Sequence, residues 1–174
     1  IQDITWLAII KRYAAGVPAE LVMTEPPGYD VDEFRDGLTL EGSGSNWPRP
    51  GIRYPVGWRF HNAYRGLPDS SNPRDYTGWH GRITKTGVNW FNDFSITPEA
   101  VENLSERREQ TCRAKLKTLR LLYYIQTEIS PLWAVANDEG YDTPFNRARV
   151  CFPGFEDIEA NMPVIPYIRE ARRL

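Results

Sequence analysis

The pattern of apolar and polar residues changes character several times along the chain. From Ile1 to Ala15, apolar side chains recur at Ile1, Ile4, Leu7, Ala8, Ile10 and Tyr13. Those intervals of three and four predict an amphipathic helix, stopped by Gly16 with Pro18 beyond it. A buried strand over Trp6 to Ile10 is the alternative, because a short apolar run fits both periods. Between Pro18 and Pro73 helical periodicity is lost. This stretch holds 8 of the 14 prolines, with turn pairs at Pro27-Gly28, Asp36-Gly37 and Pro50-Gly51. Proline deletes a backbone donor and drives the residue before it out of the helical region, so only short strands fit, at Leu38–Leu40 and Trp58–His61.

Strand character returns over Arg82 to Phe94, with Ile83, Thr84, Thr86 and Val88 around Gly87. Thr97-Pro98-Glu99 then reads as a helix start: a capping hydroxyl, a proline suited to the first position, and acids at 99 and 102 facing the positive dipole end. No glycine or proline follows until Pro131. A stripe of Leu116, Leu119, Leu122, Tyr123 and Ile125, extended upstream by Cys112, predicts one long helix over 97–128. Arg107, Arg108, Arg113, Lys115, Lys117 and Arg120 fall largely off that stripe. Residues 137–166 are loop-like and close on the apolar run Val164–Ile168. The expected fold is α+β: a mixed or antiparallel sheet of short strands, one long helix and extensive Pro/Gly-rich loops. Its 174 residues make a single domain or a fragment of one.

Composition narrows the function classes. Apolar residues are 41% and charged residues 25%, which is globular, and the net charge of -2 gives no bulk field for gripping nucleic acid. No apolar run nears the roughly 20 residues of a membrane span. Ile1 opens without a signal-like segment, and Arg172-Arg173-Leu174 closes without a terminator, so a part of something longer is expected. Cys112 and Cys151 are too few for a disulfide scaffold; their pairing is left open, and a reduced, cytoplasmic compartment is favoured.

The chemistry-bearing groups are sparse. His61 and His80, without CxxC or HxxxH spacing, predict no metal site. Gly42-Ser43-Gly44-Ser45-Asn46-Trp47 puts tryptophan where a dinucleotide loop needs its third glycine, so no nucleotide-binding loop is expected. Cys112 among basic residues is a possible nucleophile, but its apolar stripe favours simple burial. Asp138, Glu139 and Asp142, compressed into a turn with Tyr141, admit a carbohydrate-active enzyme as a weaker alternative. The basic helix face reads more readily as solvated than as a phosphate site. Arg169, Arg172 and Arg173 follow directly on an apolar run and share a helical face. Forked, permanently charged guanidiniums suit a buried anion site, and equally a charged chain end.

Four segments carry a resemblance. They are Lys85-Thr86-Gly87-Val88-Asn89-Trp90-Phe91-Asn92-Asp93, Lys117 to Gln126 (KTLRLLYYIQ), Asn137 to Pro144 (NDEGYDTP), and Pro166-Tyr167-Ile168-Arg169-Glu170-Ala171-Arg172-Arg173. In this order they resemble a family of bacterial FAD-dependent oxidoreductases, some labelled xanthan-lyase-like. The closing PYIREARR is the most specific part. The match covers residues 82–174, with 1–75 matching only loosely. The resemblance implies the substrate-side part of a flavoprotein, lying between a Rossmann segment that holds FAD and a C-terminal segment that completes the flavin site. Neither flank is in this chain, so the implied partner is the remainder of the flavoprotein or a complementary subunit, together with a small-molecule substrate. It also implies that Arg169, Arg172 and Arg173 face the active site, holding an anionic substrate group or stabilising reduced flavin. Asn89, Asn92 and Tyr167 are candidates for polar contacts. A non-catalytic ligand-binding module, or a subunit docked on a larger assembly, is the alternative.

Overall fold

The computed structural model describes residues 3–34, 85–88 and 92–168. The strands expected at Leu38–Leu40 and Trp58–His61, both histidines, and Asn89, Arg169, Arg172 and Arg173 lie outside the described residues.

The N-terminal helix expectation is overturned. Residues 3–12 form two strands, β1 (Asp3–Thr5) and β2 (Ala8–Arg12), nearer to the alternative reading. Ile4, Trp6, Ala8 and Ile10 are buried and alternate at a period of two, while Leu7 and Ile9 are only half-buried. Three of those four also satisfy the helical spacing; pairing on both sides decides the matter. β1 runs between β4 (Asp93–Ser95) and β6 (Tyr167–Ile168), and β2 runs between β3 (Lys85–Val88) and β5 (Trp133–Val135). Every pairing is antiparallel. One stretch of chain is thus the centre of two three-stranded sheets.

The register changes where the sheets meet. Thr5 opposes Asp93, and Ala8 opposes Val88. Two residues separate β1 from β2, but four separate β3 from β4, so the two registers are offset across Trp6–Leu7. The Trp6 carbonyl there accepts from Asn92 Nδ2 and from Thr118 Oγ1, each at 2.8 Å. Its indole Nε1 donates to the Pro163 carbonyl at 3.1 Å.

The helix expected over 97–128 is present with one interruption. It comprises α1 (Glu99–Glu102), α2 (Leu104–Tyr124) and a π-helical turn, Ile125–Ile129. Asn103 breaks it: its backbone is extended, and its side-chain oxygen accepts from the Ser105 and Glu106 amides at 2.9 and 3.3 Å. That is an N-cap, which restarts the helix after satisfying its orphan donors. α2 packs against β4 and buries Ala114, Thr118, Leu119 and Leu122, with Leu121, Tyr124 and Ile125 enclosed at its end. The Pro27-Gly28 pair forms the expected turn, with Tyr29 N donating to Pro26 O and Gly28 at φ +65°, a conformation glycine adopts without a Cβ penalty. Arg120 of α2 clamps that turn by donating to Pro27 O at 2.9 and 2.8 Å.

Two short helices follow, α3 (Pro144–Arg147) and α4 (Glu156–Ala160), and a 3-10 turn spans Ala19–Leu21 after β2. Asn146 joins them, its buried amide donating to the carbonyls of Ala160 and Met162 at 2.7 and 2.8 Å. Arg147 bridges Asp142 and Asp157 in the same corner. Lys115, read from sequence as part of a largely off-stripe basic face, is buried instead. Its ammonium donates to Glu159 Oε2 at 3.2 Å and to Arg149 O at 2.9 Å, and lies 5.1 Å from the Trp6 ring centroid. Glu159, also buried, accepts from the backbone amides of Cys151 and Phe152. Periodicity accounts for this: residue 115 falls at helical spacing between Cys112 and Leu119, on the buried stripe.

Breaking a buried pair by removing one partner leaves an uncompensated charge, which costs about 3–5 kcal/mol. Lys115→Met is therefore expected to lower unfolding stability in urea by about that much. Adding Glu159→Gln, which keeps a carbonyl for the backbone amides but removes the charge, should restore most of the loss. A double variant as unstable as the single one would contradict this account of the pair.

Candidate functional site

A cleft of about 730 Å³ opens between α2, the segment after α3 and the approach to β6. Leu104, Arg107, Arg108, Thr111 and Cys112 line it from α2. Ala148, Arg149 and Cys151 face it from the opposite segment, and Val164, Ile165 and Pro166 from the approach to β6. Trp6 and Lys115, the groups that join the sheets to α2 and α4, also line it. A disulfide between Cys112 and Cys151 fastens α2 to the opposite segment. This answers the pairing left open by the sequence, and takes Cys112 out of consideration as a free nucleophile. Closing a loop of 39 residues in the unfolded chain contributes up to about 4 kcal/mol in the chain-entropy description.

The cleft is cationic, and no acidic residue lines it among the described residues. Lys115 is neutralised by Glu159, but Arg107 and Arg149 are held by neutral acceptors. Arg107 Nε donates to Ala100 O at 2.8 Å and its terminal nitrogen to Val101 O. Arg149 donates to Phe145 O at 2.9 Å and stacks on the Phe145 ring, 3.3 Å from its centroid. Those contacts fix the two guanidiniums without offsetting their charge.

Of the site residues expected from sequence, two are described. Tyr167 lies in β6 opposite Thr5 and is exposed. Asn92 is fully buried beside Trp6, its Nδ2 also 3.0 Å from Thr118 Oγ1, while its Oδ1 has no hydrogen-bond partner among the described residues. Both thus stand at the Thr5–Trp6 end of β1, since Asp93, next to Asn92, also opposes Thr5. Sequence reasoning took Arg107 and Arg108 as solvated and did not single out Arg149. The signal it lacked was Cys151, whose bond to Cys112 brings Arg149 across from α2.

The turn acids have other partners. Asp138 pairs with Lys85 at 2.7 Å and with Lys11 at 2.9 Å, and Glu139 pairs with Lys85 at 2.5 Å. Hydrogen bonds from Lys85 and then Lys11 hold the Asp138 carboxyl down at about 2. Asp142 is likewise held low by Arg147. A glycosidase acid needs the opposite, a carboxyl kept protonated near neutrality. Asp138 and Glu139 fasten the turn at 137–140 onto β2 and β3, and Asp142 is tied to α3 through Arg147. Among the described residues, no group of three His, Cys, Asp or Glu side chains stands together as a metal site, and no helix is long and apolar enough to cross a membrane.

The flavin implied by the resemblance was tested against the glycines. Those with positive φ among the described residues are Gly16, Gly28, Gly140 and Gly154. Gly16 and Gly140 follow the strands β2 and β5, but the chain then enters only a three-residue 3-10 helix (Ala19–Leu21) and the four-residue α3, not a long helix whose N-terminus presents backbone donors to a dinucleotide pyrophosphate. The described residues do not fit as the FAD diphosphate cradle.

The Asp138 pairs carry a pH signature. A carboxyl held below its unfolded value of about 3.9 adds stability above that pH and loses it as pH falls through the folded value of about 2. Being exposed and screened, the pairs contribute a few tenths to about 1 kcal/mol. In urea titrations, Asp138→Asn is expected to be less stable than the parent at pH 7, with the difference closing between about pH 4 and pH 2. A difference that persists at pH 2 would contradict the assignment.

No family model matches this chain, and no curated protein or solved structure matches it either.

Proposed function

We propose that this chain is the substrate-side part of an FAD-dependent oxidoreductase, with the dinucleotide cradle contributed by another part of the protein or by a second subunit. The observation that carries the reading is the course of residues 164–168. Val164, Ile165 and Pro166 line the cationic cleft, and Tyr167–Ile168 then pair with the central strand β1. The most specific of the resembling segments, PYIREARR, therefore begins as a wall of the cleft. Its arginines Arg169, Arg172 and Arg173 follow β6 directly in sequence.

Contacts among the other resembling segments support the same reading. Lys117 Nζ donates to Asp93 O at 2.9 Å, Asn92 meets Thr118, and Lys85 pairs with Asp138 and Glu139. Segments far apart in sequence thus form one contacting unit around β1 and β2. In this role the chain binds and orients the substrate and excludes water, and the redox chemistry belongs to the flavin. A ligand-binding module without chemistry draws on the same cleft and differs only in lacking a flavin.

Purified from its natural source, the protein is expected to have a mass well above 20.1 kDa, or a tightly associated second subunit, and to absorb near about 375 and 450 nm as oxidised flavin does. The 174-residue chain alone should gain no such absorbance when FAD is added. Native protein of 20.1 kDa that has no flavin, gains none and has no flavin-bearing partner would overturn the proposal in favour of the binding module.

A further inference from the structure

We infer that the cleft between α2 and residues 148–151 binds an organic carboxylate with a flat apolar body. This deepens the substrate-side reading by giving the substrate a class, and rests on that reading only in calling the occupant a substrate. The charge and the lining belong to the chain itself.

Charge accounting comes first. Arg107, Arg108 and Arg149 line one cleft that has no acidic lining residue among the described residues. Of the acids around it, Glu159 is paired with Lys115, Glu109 with Arg113, and Asp142 and Asp157 with Arg147, while Glu106 accepts from Gln110 Nε2. Arg108 has no hydrogen bond or ion pair among the described residues, and Arg107 and Arg149 satisfy only part of their donors with carbonyls. Free forked donors of this kind accept a carboxylate in a bidentate manner. Two of the three guanidiniums are already fixed by neutral contacts, so little side-chain freedom is lost on binding.

The apolar part of the lining selects the body of the ligand. Leu104, Val164, Ile165 and Pro166 offer aliphatic surface beside the arginines, and Trp6, only 3% exposed, also lines the cleft. Leu104 and Ile165 are 75% and 74% exposed, apolar surface that a ligand body can cover. A volume of about 730 Å³ is in the range of small-molecule sites. A small inorganic anion would use the charge and leave the apolar wall wet, whereas a neutral aromatic would use the wall and leave the charge unanswered.

The test titrates the full chain with naphthalene-2-carboxylate, naphthalene-2-carboxamide and inorganic phosphate, reading amide chemical shifts and binding heat. The carboxylate should bind tightest, with shifts centred on Thr111, Cys112, Arg149 and Ile165. Arg108→Gln with Arg149→Gln should weaken it about tenfold, the scale of charge-assisted hydrogen bonds, and leave the carboxamide unchanged. Arg113→Gln, an ion-paired residue outside the cleft, should change nothing. Equal affinity for carboxylate and carboxamide would overturn the proposal, as would phosphate binding as tightly as the carboxylate, indifference to the arginine variants, or shifts centred elsewhere. Carboxylate binding by a protein that never carries flavin would leave this inference standing and remove the flavoprotein reading. A flavoprotein that fails the carboxylate titration would do the reverse.

Discussion

The Trp6 carbonyl is where this structure is tied together. A strand that leaves one sheet for another exposes backbone groups at the crossing, and a buried carbonyl without donors costs about 1–3 kcal/mol. Here the crossing falls at Trp6–Leu7, and donors arrive from two directions: Asn92 from the β3–β4 side and Thr118 from the middle of α2. The indole holds Pro163 with its N–H and lies under the Lys115 ammonium. One residue thus fixes the junction of both sheets, the height of α2 above them and the start of the segment that becomes β6.

The cleft follows from that arrangement. Lys115 is drawn inward by Glu159 and the Trp6 ring, and its third contact, to Arg149 O, sets the backbone beside Arg149. The disulfide then closes the same corner covalently. The buried lysine consequently contributes scaffold rather than free charge, leaving Arg107, Arg108 and Arg149 to define the field.

Legibility in the sequence varied with how local the deciding force was. The long helical stretch was readable because its stripe, its start at Thr97-Pro98-Glu99 and the stop before Pro131 are properties of neighbouring residues. Its interruption at Asn103 went unread, although asparagine is a strong cap. The N-terminal segment was misread because Ile4, Ala8 and Ile10 fit periods of both two and near four. Partners from residues 85–95, 133–135 and 167–168 decided between them, and no local pattern announces those. Lys115 shows the complementary failure: its helical position was on the buried stripe, but its charge outweighed the spacing in the reading. At the candidate site, Asn92 and Tyr167 were picked from a resemblance, and both stand at one end of β1. Arg149 was invisible without knowledge that Cys112 and Cys151 pair.

Native-state amide hydrogen exchange of Asn92→Ala, normalised to the slowest-exchanging amides of α2, tests the Trp6 junction most directly. Those α2 amides report global unfolding, so excess exchange elsewhere reports local loosening. If the Trp6 carbonyl holds the crossing, amides of β1 and β2 should lose protection together, although they belong to different sheets. Loosening confined to one of the two strands would contradict the account.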